Sequence, residues 1–202
     1  MTTTAMAAGY RVCQSFLGPR VEASKRSGLD LNTTIREIAG AMFRCMEIHQ
    51  PYWVSRQGSE DVPTFGFQSL LDLDPIQIDR RRMYQMFRSG VDELGSVLEK
   101  ILSASTLEAI QQNSKLEERR FHFPDELWAK TVYEFASSHH RSVINRDHLL
   151  QALTPLYRGR VSSFIQENLR ADAEEVERKL ESLRLEFERL KPYLIENWSR
   201  QT

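Results

Sequence analysis

Apolar residues recur at helical spacing along most of the chain after Asp30. Positions three and four residues apart lie on one face of an α-helix, whereas a half-buried strand alternates apolar and polar residues. The first such stripe should end near Gln50, because Pro51 disfavours a helical conformation in the residue before it. The pattern predicts a mostly α-helical protein, a multi-helix bundle. The residues of the first stripe are Leu31, Ile35, Ile38, Met42, Cys45 and Met46.

The rest of the chain is organised around residues 121–168, which predict two helices joined by a short polar turn. Pro124 suits the start of the first helix, since its missing N–H would have no partner there. Asn145 is a good N-cap for the second helix. The stripe of the first helix is Trp128, Val132, Phe135 and His139, and that of the second is Leu149, Leu150, Leu153, Leu156, Val161 and Phe164.

Further helices are predicted on both sides of this pair. Asp79 caps a helix whose buried side continues to Ile101, and Ser105 has capping-box spacing before a short helix, residues 106–115. The last helix begins near Asp172, and Pro192 should bend or loosen its end. Its heptad-like stripe is more typical of intramolecular packing than of a dimer zipper, although a homodimer is an open alternative. The stripe consists of Val176, Leu180, Leu183, Phe187, Leu190 and Leu194.

Residues 1–29 show a different pattern. The segment YRVCQSFLG, residues 10–18, predicts the only convincing strand, and residues 56–79 predict a long irregular connector that lies against the body. One strand alone cannot form a stable sheet. We therefore expect its partner strands to lie on sequence outside this chain, and we expect the chain to be a fragment or a product of late initiation. Residues 30–202 would form a helical domain.

Composition narrows the possible functions. The 202 residues include 27 Lys and Arg against 28 Asp and Glu, a net charge of −1, which argues against a general nucleic-acid-binding protein. The two cysteines match no metal-binding spacing and fit a reduced, cytoplasmic setting. No apolar run reaches the roughly 20 residues of a membrane span, so we expect none.

Few side chains stand out as candidates for chemistry, and no motif assigns a catalytic residue. His139, Arg158 and Arg160 are candidates for binding substrate or an anion. His139 lies on an apolar stripe, where a buried histidine bonded to a carboxylate or carbonyl is more common than a catalytic one. Arg158 and Arg160 are two residues apart and so cannot share one helical face. The basic run from Arg80 to Arg82 is either a solvated face or a phosphate-binding site.

Four segments resemble one family of enzymes. TTTAMAAGYRVCQSFLG, residues 2–18, is similar to the closing strand region of a GT-A-fold sugar-nucleotide glycosyltransferase. FPDELWAKTVYEFA (123–136), RDHLLQALTPLYRGRVSSF (146–164) and LEFERLKPYLIENW (185–198) are similar to the helical C-terminal domain of the same proteins. The group resembled is that of bacterial family-2-like glycosyltransferases related to mannosylglycerate synthase and glucosyl-phosphoglycerate synthase. Residues 1–29 would then be the remnant of a GT-A catalytic domain.

The resemblance implies transfer of a hexose from a nucleotide sugar to a small hydroxy acid such as glycerate or phosphoglycerate. In the relatives an Asp-x-Asp-like motif and a later His hold Mg²⁺ or Mn²⁺, which neutralises the diphosphate leaving group. Glu22 stands at the position of that His, so the resemblance makes it a candidate metal ligand of the intact enzyme. The chain alone is expected to bind no cofactor and to be inactive.

The alternative is a stand-alone helical interaction or oligomerisation module without catalytic activity. The heptad-like stripe and the balanced charge would suffice for such a module.

Overall fold

The computed structural model describes residues 2–17, 31–66 and 79–200, and most of these residues are helical. The mostly α-helical fold predicted from the sequence is confirmed. None of the described helices is both long and apolar enough to cross a bilayer. In chain order the elements are α1 (Thr2–Ala7), β1 (Gln14–Ser15), α2 (Leu31–Ile48), α3 (Gln50–Ser55), β2 (Thr64–Phe65), α4 (Arg80–Glu93), α5 (Gly95–Ile101), α6 (Ala104–Ser114), α7 (Asp125–His140), α8 (Arg146–Glu167), α9 (Ala173–Arg189) and α10 (Lys191–Ser199).

The core lies where α7 and α8 meet α2, α4 and α10. Phe87 of α4 packs against Phe121 and Phe123, which precede α7, with ring centroids 5.1 and 5.9 Å apart. Each large apolar side chain buried in this way stabilises the fold by about 1.5–3 kcal/mol. The predicted helix pair is therefore central to the bundle. The largest fully buried apolar side chains are Phe43, Phe87, Phe123, Phe135, Leu98, Ile110, Leu149 and Leu156.

The most extensive helix pairing is that of α4 with α8, and two glycines permit it. A Cβ atom on Gly90 would overlap the ring of Pro155, and one on Gly159 would lie 2.6 Å from Cδ2 of Phe87. Pro155 lies inside α8, where a proline costs about 3 kcal/mol because it removes a helical hydrogen bond. Its close packing on Gly90 helps to offset that cost.

Three helices have the N-terminal capping side chains that the sequence predicted. Asp79, Asn145 and Asp172 each accept hydrogen bonds from backbone N–H groups in the first turn of the helix that follows. Asp172 also forms a complete capping box with Glu175. These local interactions explain why the starts of α4, α8 and α9 were readable from the sequence.

The predicted cap of α6 is wrong by two residues. Ser103, rather than Ser105, is the N-cap, and its hydroxyl accepts from the N–H of Thr106 at 3.4 Å. The backbone N–H of Ser103 also donates to Glu134 of α7 at 2.7 Å. That contact from a distant helix favours the earlier start, and a local motif cannot reveal it.

Two predicted helices are each divided into two. The helix after Asp79 breaks at Leu94, where α4 ends and α5 begins with Gly95, a residue of low helix propensity. The last helix breaks at Leu190, because Pro192 in the first turn of α10 has no N–H to continue the hydrogen bonds of α9.

The N-terminal strand is shorter than predicted, and it has a partner within the chain. Of residues 10–17 only β1 is a strand, and it pairs in parallel with β2, with Gln14 opposite Thr64 and Ser15 opposite Phe65. β2 lies in the segment that was predicted to be irregular. The expectation of an unpaired strand is therefore wrong. β2 was not predicted because a strand of two residues is too short to show an alternating pattern of apolar and polar residues.

Candidate functional site: an arginine-lined groove

A groove of about 800 Å³ runs along α8, with α2 and α4 as its walls. Both walls run antiparallel to α8. Asn32 of α2 and Met86 of α4 lie beside Arg158, whereas Gly90 of α4 lies against the earlier Pro155. The N-terminal ends of α2 and α4 therefore meet at one end of the groove.

Three arginines line this groove, one from each helix. Nη2 of Arg158 donates to Oδ1 of Asn32 at 2.7 Å, and its Nη1 lies 2.9 Å from Sδ of Met86. Arg82 lies in the exposed first turn of α4. Nε of Arg36 is buried and has no hydrogen-bond partner among the described residues. Arg158 and Arg82 were both noticed in the sequence, but only folding brings them together.

The electrostatics of the groove favour an anion. Among the described residues its lining has three arginines and one carboxylate, Glu93, which lies at the opposite end of α4 from Arg82. The N-terminal ends of α2 and α4 add partial positive charge at the arginine end. Guanidinium groups present paired N–H donors that match carboxylate and phosphate oxygens. The arrangement can therefore hold a small anion with more than one negative charge.

Arg160 lies on a different side of α8 and is buried. Its guanidinium donates to the carbonyl oxygen of Phe123 at 3.0 Å and forms ion pairs with Asp125 and, at 3.2 Å, with Glu167. A buried charge is tolerated when it is paired in this way. Arg160 thus ties the segment before α7 to α8, and an external anion would have to displace these partners.

His139 is 1% exposed and lies outside the groove. Its Nδ1 is 2.7 Å from Oε1 of Glu47, which also accepts from Nη2 of Arg146 at 3.1 Å. Because a carboxylate only accepts, Nδ1 carries the proton. Burial lowers the pKa of His139, the hydrogen bond that His139 donates to Glu47 opposes that shift, and the charge of Arg146 adds to it. The prediction of a buried histidine bonded to a carboxylate or carbonyl is confirmed, with the carboxylate of Glu47 as the partner, and the pair joins α2 to α7.

Sequence reasoning missed the buried carboxylate of Glu134 in α7. It accepts hydrogen bonds from the N–H and hydroxyl of Ser103 at 2.7 and 2.9 Å, from the hydroxyl of Thr106 at 2.6 Å, and from the hydroxyl of Tyr193. It borders a cavity of about 170 Å³. Since its donors are all protein groups from other elements, Glu134 fastens α6 and α10 to α7, and no local pattern marks it.

Arg36 was also missed. It lies on α2 one helical turn after Asn32, within a segment that the sequence described by its apolar stripe alone. A basic and an amide residue four positions apart on one helix share a face. That spacing was the available signal.

The candidate metal ligand Glu22 lies outside the described residues. Among the residues that the structure does describe, no three His, Cys, Asp or Glu side chains are grouped closely enough to hold a metal ion.

Comparison with known proteins found no match for this chain among protein-family models, curated protein sequences or solved structures.

Proposed function

We propose that this chain is the helical part of a nucleotide-sugar-dependent glycosyltransferase that acts on a small hydroxy acid such as glycerate or phosphoglycerate. In this proposal it packs against an α/β domain that binds the nucleotide sugar and a divalent metal ion. The chain alone does not catalyse the transfer. The proposal rests on the resemblance of the four sequence segments and on the N-terminal surface of the protein.

The observation that carries the proposal is the parallel pairing of β1 with β2. Sheets that are wholly parallel occur almost only in α/β proteins, in which helices cover both faces of the sheet. Here both strands are exposed, as are Phe16 beside β1 and Phe65 within β2. Two strands are at best marginally stable on their own. Such a ladder fits the edge of a larger sheet in an α/β domain.

The exposed part of the apolar stripe of α2 supports the same partner. The helix packs into the core through Ile35, Ala39 and Phe43, yet Ile38, Met42 and Ile48 are exposed. The apolar surface of α2 is therefore wider than the part that the core covers, and a partner domain would cover the rest. His49, which follows α2, lies 3.2 Å through Nε2 from Oγ1 of Thr4, so α1 and the N-terminal segment lie beside this helix.

The test begins with the DNA that precedes the codon for Met1, translated in the same frame. If it encodes an α/β region with an Asp-x-Asp-like motif, the longer polypeptide and this chain are purified separately. Each is assayed for release of UDP or GDP from a nucleotide sugar when glycerate or phosphoglycerate and Mn²⁺ are supplied. We expect release by the longer polypeptide only.

Two results would contradict the proposal. One is nucleotide release by this chain alone, and the other is an inactive longer polypeptide that binds no nucleotide sugar by calorimetry. Omission of the hydroxy acid is the control, because it separates transfer from simple hydrolysis of the donor.

A second candidate is an interaction module without catalysis, which the first half of α9 favours. The C-terminal part of the predicted heptad-like stripe packs inside the protein, since Leu190 and Leu194 are buried and Phe187 lies against the core. Its N-terminal part does not, because α9 contains no buried residue and Leu180 is half exposed. If the upstream frame encodes no α/β region, this module becomes the better account.

A further inference from the structure

We propose that the groove between α2, α4 and α8 is a binding site for a small organic phosphate monoester. The glycosyltransferase proposal does not assign this site, and the inference does not depend on that proposal. It rests on the charges of Arg36 and Arg82, which pair with no described carboxylate, and on the size and polarity of the groove.

Arg36 and Arg82 lack the ion pairs that several other arginines of the described chain form. Arg80 pairs with Glu118, Arg160 with Asp125 and Glu167, and Arg184 with Glu181 and Glu188. By contrast, no described carboxylate forms an ion pair with the side chain of Arg36 or Arg82, and Nε of Arg36 is buried without a partner. A buried donor without an acceptor is costly, and a bound anion would supply the acceptor.

The charge of the groove matches that of a phosphate monoester. Arg36 and Arg82 bring two positive charges to the groove, neither of which forms an ion pair with a described carboxylate, and Glu93 lies at the far end of α4 from Arg82. A phosphate monoester carries about −1.5 to −2 charges at neutral pH. A carboxylate has only one charge and would neutralise the site less completely. The anion is therefore expected within reach of the side chains of Arg36 and Arg82.

The rest of the groove indicates an organic body on the phosphate. A volume of about 800 Å³ is far larger than one phosphate and lies within the usual range for small-molecule sites, about 300–1,000 Å³. Beyond the arginines the lining offers the amides of Gln85 and Gln151 and the hydroxyls of Ser89 and Thr154. These groups donate to and accept from hydroxyls, as in a polyol or sugar phosphate. Leu94 and Pro155 supply apolar contact.

A nucleic-acid backbone fits the protein less well than a small molecule. Nucleic-acid-binding proteins usually carry a basic excess over an extended surface, whereas this chain has a net charge of −1. A short single-stranded oligonucleotide therefore serves as a comparison ligand.

The test is titration calorimetry of the purified chain with glycerol phosphate, with glycerol and with sodium chloride at matched ionic strength. We expect saturable binding of glycerol phosphate alone. Binding should weaken as the pH falls from about 7.5 to 5, because the phosphate loses its second charge near pH 6.

Two variants and a matched control locate the site. Arg36→Gln and Arg82→Gln should each weaken binding about tenfold, since each removes a charge-assisted hydrogen bond. Arg81→Gln is the control, because Arg81 is the neighbour of Arg82 on the same helix but does not line the groove and lies 4.0 Å from Glu118 instead. It should bind as the unaltered chain does. Circular dichroism and thermal unfolding without ligand check that all three variants fold.

Three results would overturn the proposal. The first is no saturable binding of glycerol phosphate. The second is an equal loss of affinity in Arg81→Gln and Arg82→Gln, which would indicate a diffuse charge effect. The third is tighter binding of the oligonucleotide than of glycerol phosphate.

Discussion

Glu134 and Arg160 are charged side chains that lie buried inside this small protein, and both are bonded. Glu134 accepts from Ser103, Thr106 and Tyr193, and Arg160 is paired with two carboxylates. Removing one partner of a buried pair typically costs about 3–5 kcal/mol, because the other charge is left without compensation. These residues therefore fix how the helices sit against one another more than they drive folding.

The His139–Glu47 pair makes stability depend on pH. Burial lowers the pKa of His139 from its ordinary value of 6.5, so below that pH the unfolded chain binds a proton that the folded chain does not. The contribution of neutral His139 to the free energy of unfolding is therefore fully present above about pH 6.5. It is lost as the pH falls, by at most about 1.4 kcal/mol per pH unit. Urea unfolding at several pH values measures the slope.

Two histidine variants separate the pH dependence of stability caused by His139 from that caused by the other titratable groups of the chain. His139→Gln should remove this part of the slope, while the exposed His122→Gln, a residue that also lies beside a glutamate, should keep it. Equal slopes in the unaltered chain and in His139→Gln would contradict the assignment.

At the scale of the elements, the position of α4 on α8 decides the shape of the groove. Gly90 and Gly159 remove the side chains that would hold the two helices apart, and Pro155 fills the space at Gly90. The floor and one wall of the groove are set by this contact. A change in helix separation should therefore alter both stability and the groove.

Gly90→Ala should destabilise the protein by about 1–3 kcal/mol, because the added methyl group overlaps Pro155 and forces the helices apart. Gly95→Ala is the matched control, since nothing lies within 4 Å of its added Cβ. It should be neutral or stabilising by about 0.5–1 kcal/mol, because alanine loses less backbone entropy than glycine. Urea unfolding of both variants gives the comparison, and a Gly90→Ala protein as stable as Gly95→Ala would contradict this account.

At the scale of the whole molecule, exposed apolar side chains are concentrated in the first part of the chain. Of the thirteen large exposed apolar residues among those described, nine precede residue 67. Single exposed apolar residues are normal, but an extended apolar surface usually marks an interface. In the proposed function, the surface that includes β1, β2 and the exposed apolar residues of α2 would contact the α/β domain.

This surface should bind the dye ANS while the chain is folded. Ile38→Asp should lower the dye fluorescence, whereas Leu169→Asp should not, although the two residues are equally exposed, 64% each. Both variants should keep the unfolding free energy of the unaltered chain within about 0.5 kcal/mol, because the altered side chains lie at the surface. An equal change of fluorescence in both variants would show that the apolar surface is not localised.

The sequence by itself determined most of the helices and the starts of several of them. Asp79, Asn145 and Asp172 cap their helices through hydrogen bonds to residues two or three positions away, so the local sequence is enough to predict these helix starts. The burial of His139 followed from its place on an apolar stripe for the same reason. Local hydrogen bonds and helical periodicity need no knowledge of distant residues.

Only the tertiary structure decided the pairing of β1 with β2, the partners of Glu134 and the meeting of Arg36, Arg82 and Arg158 in one groove. Each of these joins residues that are far apart in the chain. Their positions depend on how the helices pack, and that packing is fixed by the shapes of many side chains together, such as the fit of Gly90 against Pro155. No single segment carries that information, which is why the groove could not be read from the sequence.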